Sequence, residues 1–186
     1  MKKPRQVLRR ALLLVLTAAA LAADSKYHLQ VTRYELRFAV LPAALDGYRI
    51  VLLSDLHGAY FGRDNARLAE KVAALSPDLI ALTGDFADGT EEIGATASLL
   101  ERLQGVAPIA FVSGNHDWAG GAIEPLRRLL DRYGVLRLEN RYFALEYRGA
   151  RFILAGVEDP NGPADMIRPD ELAARLREEY PEDFTL

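Results

Sequence analysis

The stretch RIVLLSDLHG, Arg49 to Gly58, decides the fold. Its first six residues, Arg49 to Ser54, form a short and nearly continuous apolar run. That is the pattern of a central strand covered on both faces. A polar loop with Asp55 and His57 follows at once. The same construction recurs twice. A second buried strand, Leu79 to Leu82, leads into Thr83-Gly84-Asp85. A third, Ile109 to Val112, leads into Ser113-Gly114-Asn115-His116-Asp117-Trp118.

Helical periodicity fills the intervals. Leu68, Val72 and Leu75 fall on one stripe of a helix from Asp64 to Leu75, which Ser76-Pro77 ends. A second helix covers Glu92 to Leu103, with Leu99, Leu100 and Leu103 apolar, and stops at Gly105. A third covers Ile123 to Tyr133, with Ile123, Leu126, Leu129, Leu130 and Tyr133 inward and Gly134 just past its end. Strand and helix alternating three times with short loops predict an α/β fold with a parallel sheet and right-handed crossovers. The pattern then changes. Tyr142–Tyr147 and Arg151–Ala155 read as two strands around the turn Arg148-Gly149-Ala150. A helix from Asp170 to Glu179 and the start of a strand at Phe184–Leu186 follow. Upstream, Leu29, Val31, Leu36, Phe38 and Val40 alternate within Tyr27–Val40, which predicts one or two half-buried strands.

In an open parallel sheet the three polar loops share the C-terminal edge, where such folds place ligands. Residues two apart in an extended segment point the same way, so Asp55 and His57 can converge on one ion. Gly84 and Gly114 let the backbone turn sharply beside a ligand. Carboxylate, imidazole and amide oxygen donors without sulfur suit Mn, Fe or Zn. Asp85, on the middle loop, is the natural bridge between two divalent ions. Asn115 would ligate through its neutral oxygen. His116 would protonate a leaving oxygen, and Asp117 would orient His116 or else cap the following turn. Asp88, three residues after Asp85, reads as a turn cap more readily than as a support for the site. Trp118 divides evenly between lining a pocket and packing, Tyr60 and Phe61 read as packing under their loop, and Glu158-Asp159-Pro160 reads as part of the site rim.

Composition bounds the rest. The chain has 186 residues, half of them hydrophobic, and no repeats, which suits one domain with a real core. It has no cysteine, so disulfides, thiolate chemistry and Cys-type zinc sites are excluded. The first ten residues carry Lys2, Lys3, Arg5, Arg9 and Arg10 and no acid, and the apolar run Ala11–Ala23 follows. This predicts a signal peptide or signal-anchor over residues 1–23, with Ala20-Leu21-Ala22 as a cleavage site and Arg9-Arg10 as a twin-arginine pair. The run is short for a membrane span, which needs about 20 residues. The expectation is an exported or membrane-anchored protein facing outside the cytoplasm. With those five basic residues set aside, 18 basic residues face 26 acidic ones, a net charge of −8. Such a surface predicts no nucleic-acid partner and disfavours a nuclease.

Ser54-Asp55-Leu56-His57, Thr83-Gly84-Asp85 and Ser113-Gly114-Asn115-His116-Asp117 together resemble the first three motifs of the calcineurin-like metallophosphoesterase superfamily. The wider stretches Leu45–Phe86 and Leu154–Pro160 are similar to its bacterial subfamily with a signal-anchor or twin-arginine signal. The resemblance covers Tyr27 to Leu186. It implies a four-layer αββα sandwich with the first sheet and part of the second present, over residues 24–186. It also implies a dinuclear centre: Asp55 and His57 on one ion, Asp85 bridging, Asn115 on the second ion, and His116 as the catalytic histidine. The implied activity is hydrolysis of a phosphoester or pyrophosphate bond in a small phosphorylated or lipid-linked substrate. The family adds further histidines, one after a later strand and a pair in a Gly-His-x-His motif. This chain has only His28, His57 and His116, with His28 expected to be a bystander. The domain is therefore expected to be incomplete at its C-terminus, weak in metal binding and nearly inactive as it stands. The alternative is a truncated, non-catalytic fragment or pseudoenzyme.

Overall fold

The computed structural model describes residues 4–162 and 167–186, so Lys2 and Lys3 of the basic segment lie outside the described residues. The chain divides into two compact units, Met1–Leu36 and Arg37–Leu186. In the first, helix α1 runs Pro4–Tyr27 and takes in the whole apolar run. Leu12, Leu13, Leu14, Val15 and Leu16 are all exposed on it. Among the described residues no helix is long and apolar enough to cross a membrane. The alternating segment that predicted strands over Tyr27–Val40 forms none: residues 28–38 carry no regular structure. A period-two pattern supplies a strand's faces but not its hydrogen bonds, which must come from a neighbouring strand.

The second unit is an α/β fold built on two sheets. β1 (Ile50–Leu53), β2 (Leu79–Thr83), β3 (Ile109–Val112) and β4 (Leu136–Arg137) form a parallel sheet in that order. Helices α2 (Ala66–Ala74), α3 (Ile93–Leu103) and α5 (Ile123–Arg132) make the crossovers, near their expected limits. Their stripes are buried, at Leu68 and Val72, Leu99 and Leu103, and Leu126 and Leu130. β4 was not foreseen, because a two-residue strand carries no periodicity. A short helix α4 (Asn115–Ala119) also forms where the sequence suggested only a loop.

β5 (Arg141–Tyr147), β6 (Ala150–Gly156) and β7 (Phe184–Thr185) form the second sheet, with β6 central. β6 shows how the layers assemble. Phe152 and Leu154 point to one side and join Leu79 and Ala110 of the first sheet. Ile153 points to the other side and meets Leu172 and Leu176 of α6 (Pro169–Glu179). Burying each such side chain stabilises the fold by about 1.5–3 kcal/mol. Helix, sheet, sheet and helix therefore stack as expected.

β1 departs from expectation. It is not central: it lies at the edge of its sheet, with Leu52 62% and Ile50 38% exposed and only Val51 buried. A continuous apolar run records that both faces suit apolar cover, but not where the strand sits in the order. Far from the site, Asp78 ties the two sheets together. It accepts the Tyr147 hydroxyl at 2.8 Å and the Arg49 N–H at 2.8 Å.

Candidate metal centre

The loops after β1 and β2 continue the pairing of their strands. The N–H groups of Asp55, His57 and Gly58 donate to the carbonyls of Gly84, Asp85 and Phe86 at 3.1, 2.9 and 2.9 Å. Asp55, His57 and Asp85 all adopt left-handed backbone, with φ of 57°, 46° and 57°. That conformation costs a non-glycine residue about 1–2 kcal/mol, and such strain gathers at functional sites. Asp55 and His57 do converge, with Oδ1 of the first 4.0 Å from Nε2 of the second. The cause is these kinks rather than strand alternation.

The floor of the site is built on Asp117. Its side chain is buried, and its two oxygens accept four backbone N–H groups. Asp85 donates at 2.9 Å, Phe86 at 3.0 Å, Ala87 at 3.2 Å and Gly114 at 3.0 Å. Burial pushes the Asp117 carboxyl above the usual carboxylate range, and the four N–H groups act the other way. Of the two roles expected for Asp117, orienting His116 or capping the turn, the second is the one its hydrogen bonds display. Its carboxylate is engaged with backbone, as a helix-start acid three residues after the cap would be. It fixes the turn that presents Asp85.

Asp85 in turn accepts the His116 N–H on Oδ1 at 2.9 Å, which fastens α4 to the β2 loop. This approach requires glycine at 114, because a Cβ there would overlap the Asp85 carboxylate. The far end of α4 is held as closely, since a Cβ on Gly120 would overlap the Asp88 carbonyl oxygen. Asn115 opens α4 and is exposed beside His116.

The mouth of the site is centred on Asp88, which sequence reasoning placed mainly as a turn cap. Its Oδ1 lies 2.6 Å from Nδ1 of His57 and 2.8 Å from Nδ1 of His116. The two rings meet edge to face, 4.8 Å apart. The bond to His57 holds the Asp88 carboxyl below the usual carboxylate range, and the same bond raises His57 above the usual imidazole range. An ionised Asp88 accepts from both Nδ1–H groups, so both Nε2 atoms are left for other partners. Glu92 holds the Asp88 N–H at 2.7 Å. The only sequence signal for Asp88 was its spacing from Asp85, which a turn cap shares.

The donor set fits a divalent metal. Asp55, His57 and Asp85 each offer one ligand atom, all within 4.8 Å of one another, and His57, Asp88 and His116 form a second such group. Oxygen and imidazole donors without sulfur match Mn, Fe or Zn. His57 gives its other nitrogen to a carboxylate, as metal-ligating histidines commonly do. Trp118 is half-buried and donates its indole N–H to Ser113 Oγ at 2.9 Å. Tyr60 is 47% exposed in the loop after His57.

A parallel sheet with carboxylates and histidines on adjoining strand-end loops defines a metal-binding α/β protein. The chain belongs to the calcineurin-like phosphoesterase family, whose profile matches residues 48–177. It is similar to a transmembrane protein with metallophosphoesterase domain from Danio rerio, 32% identical over 70% of this chain and 31% of that protein. It is 25% identical to the uncharacterized metallophosphoesterase YkuE of Bacillus subtilis, over 85% of this chain and 60% of that one. It is 35% identical to the UDP-2,3-diacylglucosamine pyrophosphatase LpxG of Chlamydia muridarum, over 49% of this chain and 29% of that one. The chain thus spans less than two thirds of the length of each of these relatives.

Proposed function

We propose that this protein hydrolyses a phosphoester or pyrophosphate bond with two divalent ions at the loops after β1, β2 and β3. The observation that carries this reading is the ligand group of Asp55, His57 and Asp85, with His116 held beside it by Asp88. Asp55, His57 and Asp85 would hold one ion, and Asp85 and Asn115 the other. Such ions supply an activated hydroxide and neutralise charge on the phosphoryl oxygens.

The chain's own residues do the rest. Asp117 fixes the turn under Asp85. Asp88 holds Nδ1 of His116, so Nε2 is the ring atom left to act as the general acid and carry the proton it donates. That proton passes to the leaving oxygen as the phosphorus–oxygen bond breaks, and the ring is left neutral. The relative named a pyrophosphatase of a diacylated nucleotide sugar makes a lipid-linked diphosphate the first substrate to try. The basic residues and exposed apolar stretch of α1, with a relative named as a transmembrane protein, support an export signal or surface anchor over residues 1–23. The net charge of −8 over the remainder speaks against nucleic acid.

The test is to load the purified protein with Mn²⁺ and assay bis(p-nitrophenyl) phosphate alongside a diacylated nucleotide sugar. His116→Ala is expected to lower turnover by about 100-fold or more while metal content stays intact. Asp85→Asn is expected to remove the metal itself. Loss of metal from His116→Ala would make that residue a ligand. Metal uptake without turnover in the wild type would favour the non-catalytic reading.

A further inference from the structure

We infer that Arg127 is a positioning residue for the loop Ser113–Trp118, acting through the indole of Trp118. The inference rests on the reading of Asn115 and His116 as working groups of the site. Arg127 projects from α5 and is 21% exposed. Its guanidinium meets Glu139 at 2.7 Å, Glu124 at 2.6 Å and Glu158 at 2.9 Å. Glu139 lies just past β4 and Glu158 just past β6, so one side chain joins the C-terminal ends of strands from both sheets. Both carboxylates are buried. Asn140 completes the Glu158 side, donating at 3.3 Å and accepting its N–H at 3.1 Å.

The guanidinium carbon also sits 5.0 Å from the centre of the Trp118 ring. Trp118 is two residues past His116, and its N–H returns to Ser113, where the loop begins. The loop is therefore closed on itself by the indole, and the indole is held against Arg127. Gly162, on the rim after β6, comes close to the same ring: a Cβ there would lie 3.3 Å from it. Stability alone does not account for this arrangement, because buried ion pairs are commonly replaceable by apolar groups without loss. A planar guanidinium that pairs on its edge and stacks on its face fixes direction as well as charge, and lysine cannot reproduce that.

Arg127→Lys keeps the charge and so the neutralisation of Glu139 and Glu158. Trp118 is the chain's one tryptophan, so its fluorescence reports this contact without interference. Histidine ring resonances are equally resolvable, since there are three. In the metal-free Arg127→Lys protein, Trp118 is expected to become more open to acrylamide quenching and the His116 ring resonances to move. His28 should stay in place. Mn²⁺ affinity is expected to fall about tenfold, as for loss of an outer-sphere support. In a Trp118→Phe background Arg127→Lys should add nothing further. Unchanged His116 resonances, or losses that add in the double variant, would overturn the proposal and leave Arg127 a brace of the fold. A wild type that takes up no Mn²⁺ would refute the metal reading instead, and the His116 resonances would still decide the role of Arg127.

Discussion

The floor and the mouth of the site each centre on one aspartate, and the two are opposite in physical character. Asp117 is buried and its oxygens are taken up by four backbone N–H groups. Asp88 has a side chain 44% exposed and shares one oxygen between two histidines. A buried carboxylate saturated with fixed donors holds the chain in place and has no room to act on a substrate. An exposed one paired with imidazoles can follow a proton. Burial and partner type, rather than nearness to His116 in the sequence, divide the work between them.

The floor should respond to mutation with the largest change in stability. Asp117→Ala leaves four N–H groups without their acceptor in a buried turn, and the expected loss is about 2–4 kcal/mol. Urea denaturation of the metal-free protein measures it. Asp117→Asn keeps one oxygen and the shape of the group, so it should cost less. A loss below about 1 kcal/mol for the alanine variant would remove the contrast drawn above.

The mouth should respond the other way. Asp88→Asn breaks exposed contacts, and its effect on the urea midpoint should correspond to less than about 1 kcal/mol. Turnover of the metal-loaded protein should nevertheless fall by about 10- to 100-fold, because both His57 and His116 lose the group that fixes their rings. Paired measurement of midpoint and kcat tests this. A variant that is unstable but fully active would reverse the assignment of the two aspartates.

Much of this was legible in the sequence. The alternation of buried runs and amphipathic stripes gave three of the four parallel strands and their helices, because each carries its period locally. The convergence of Asp55, His57, Asp85 and His116 followed from topology, since parallel strands deliver their loops to one edge. The role of Asp88 did not follow, and the choice between the two roles open to Asp117 did not either. Asp117 adjoins His116 in the chain, but α4 forms there and turns residue 117 inward under the β2 loop. Asp88 is 28 residues away from His116 and reaches it only through the fold. The edge position of β1 and the absence of strands over residues 28–38 escaped for a similar reason. Both depend on which neighbour supplies hydrogen bonds, and a hydrophobic pattern carries no record of that.

The smallest effect is also the most specific to the mouth. His57 is held above its ordinary value of 6.5 by the bond to Asp88, and Asp88 below its ordinary value of 3.8 by the same bond. A raised histidine contributes stability that is fully present below pH 6.5 and is lost as pH rises through its folded value. A lowered aspartate contributes stability present above pH 3.8 and lost as pH falls through its folded value. The pair therefore favours the metal-free fold between those two limits. Because both groups are partly exposed, the contribution should stay under about 1 kcal/mol. The measurement is the difference in urea stability between pH 6 and pH 8, taken for the wild type and for Asp88→Asn. The wild type should lose more on going to pH 8, and the excess belongs to this pair. Saturating Mn²⁺ should reverse the trend, since the ion competes with the proton for His57 and binds better as pH rises. An excess that survives unchanged in Mn²⁺ would show that His57 does not meet the metal.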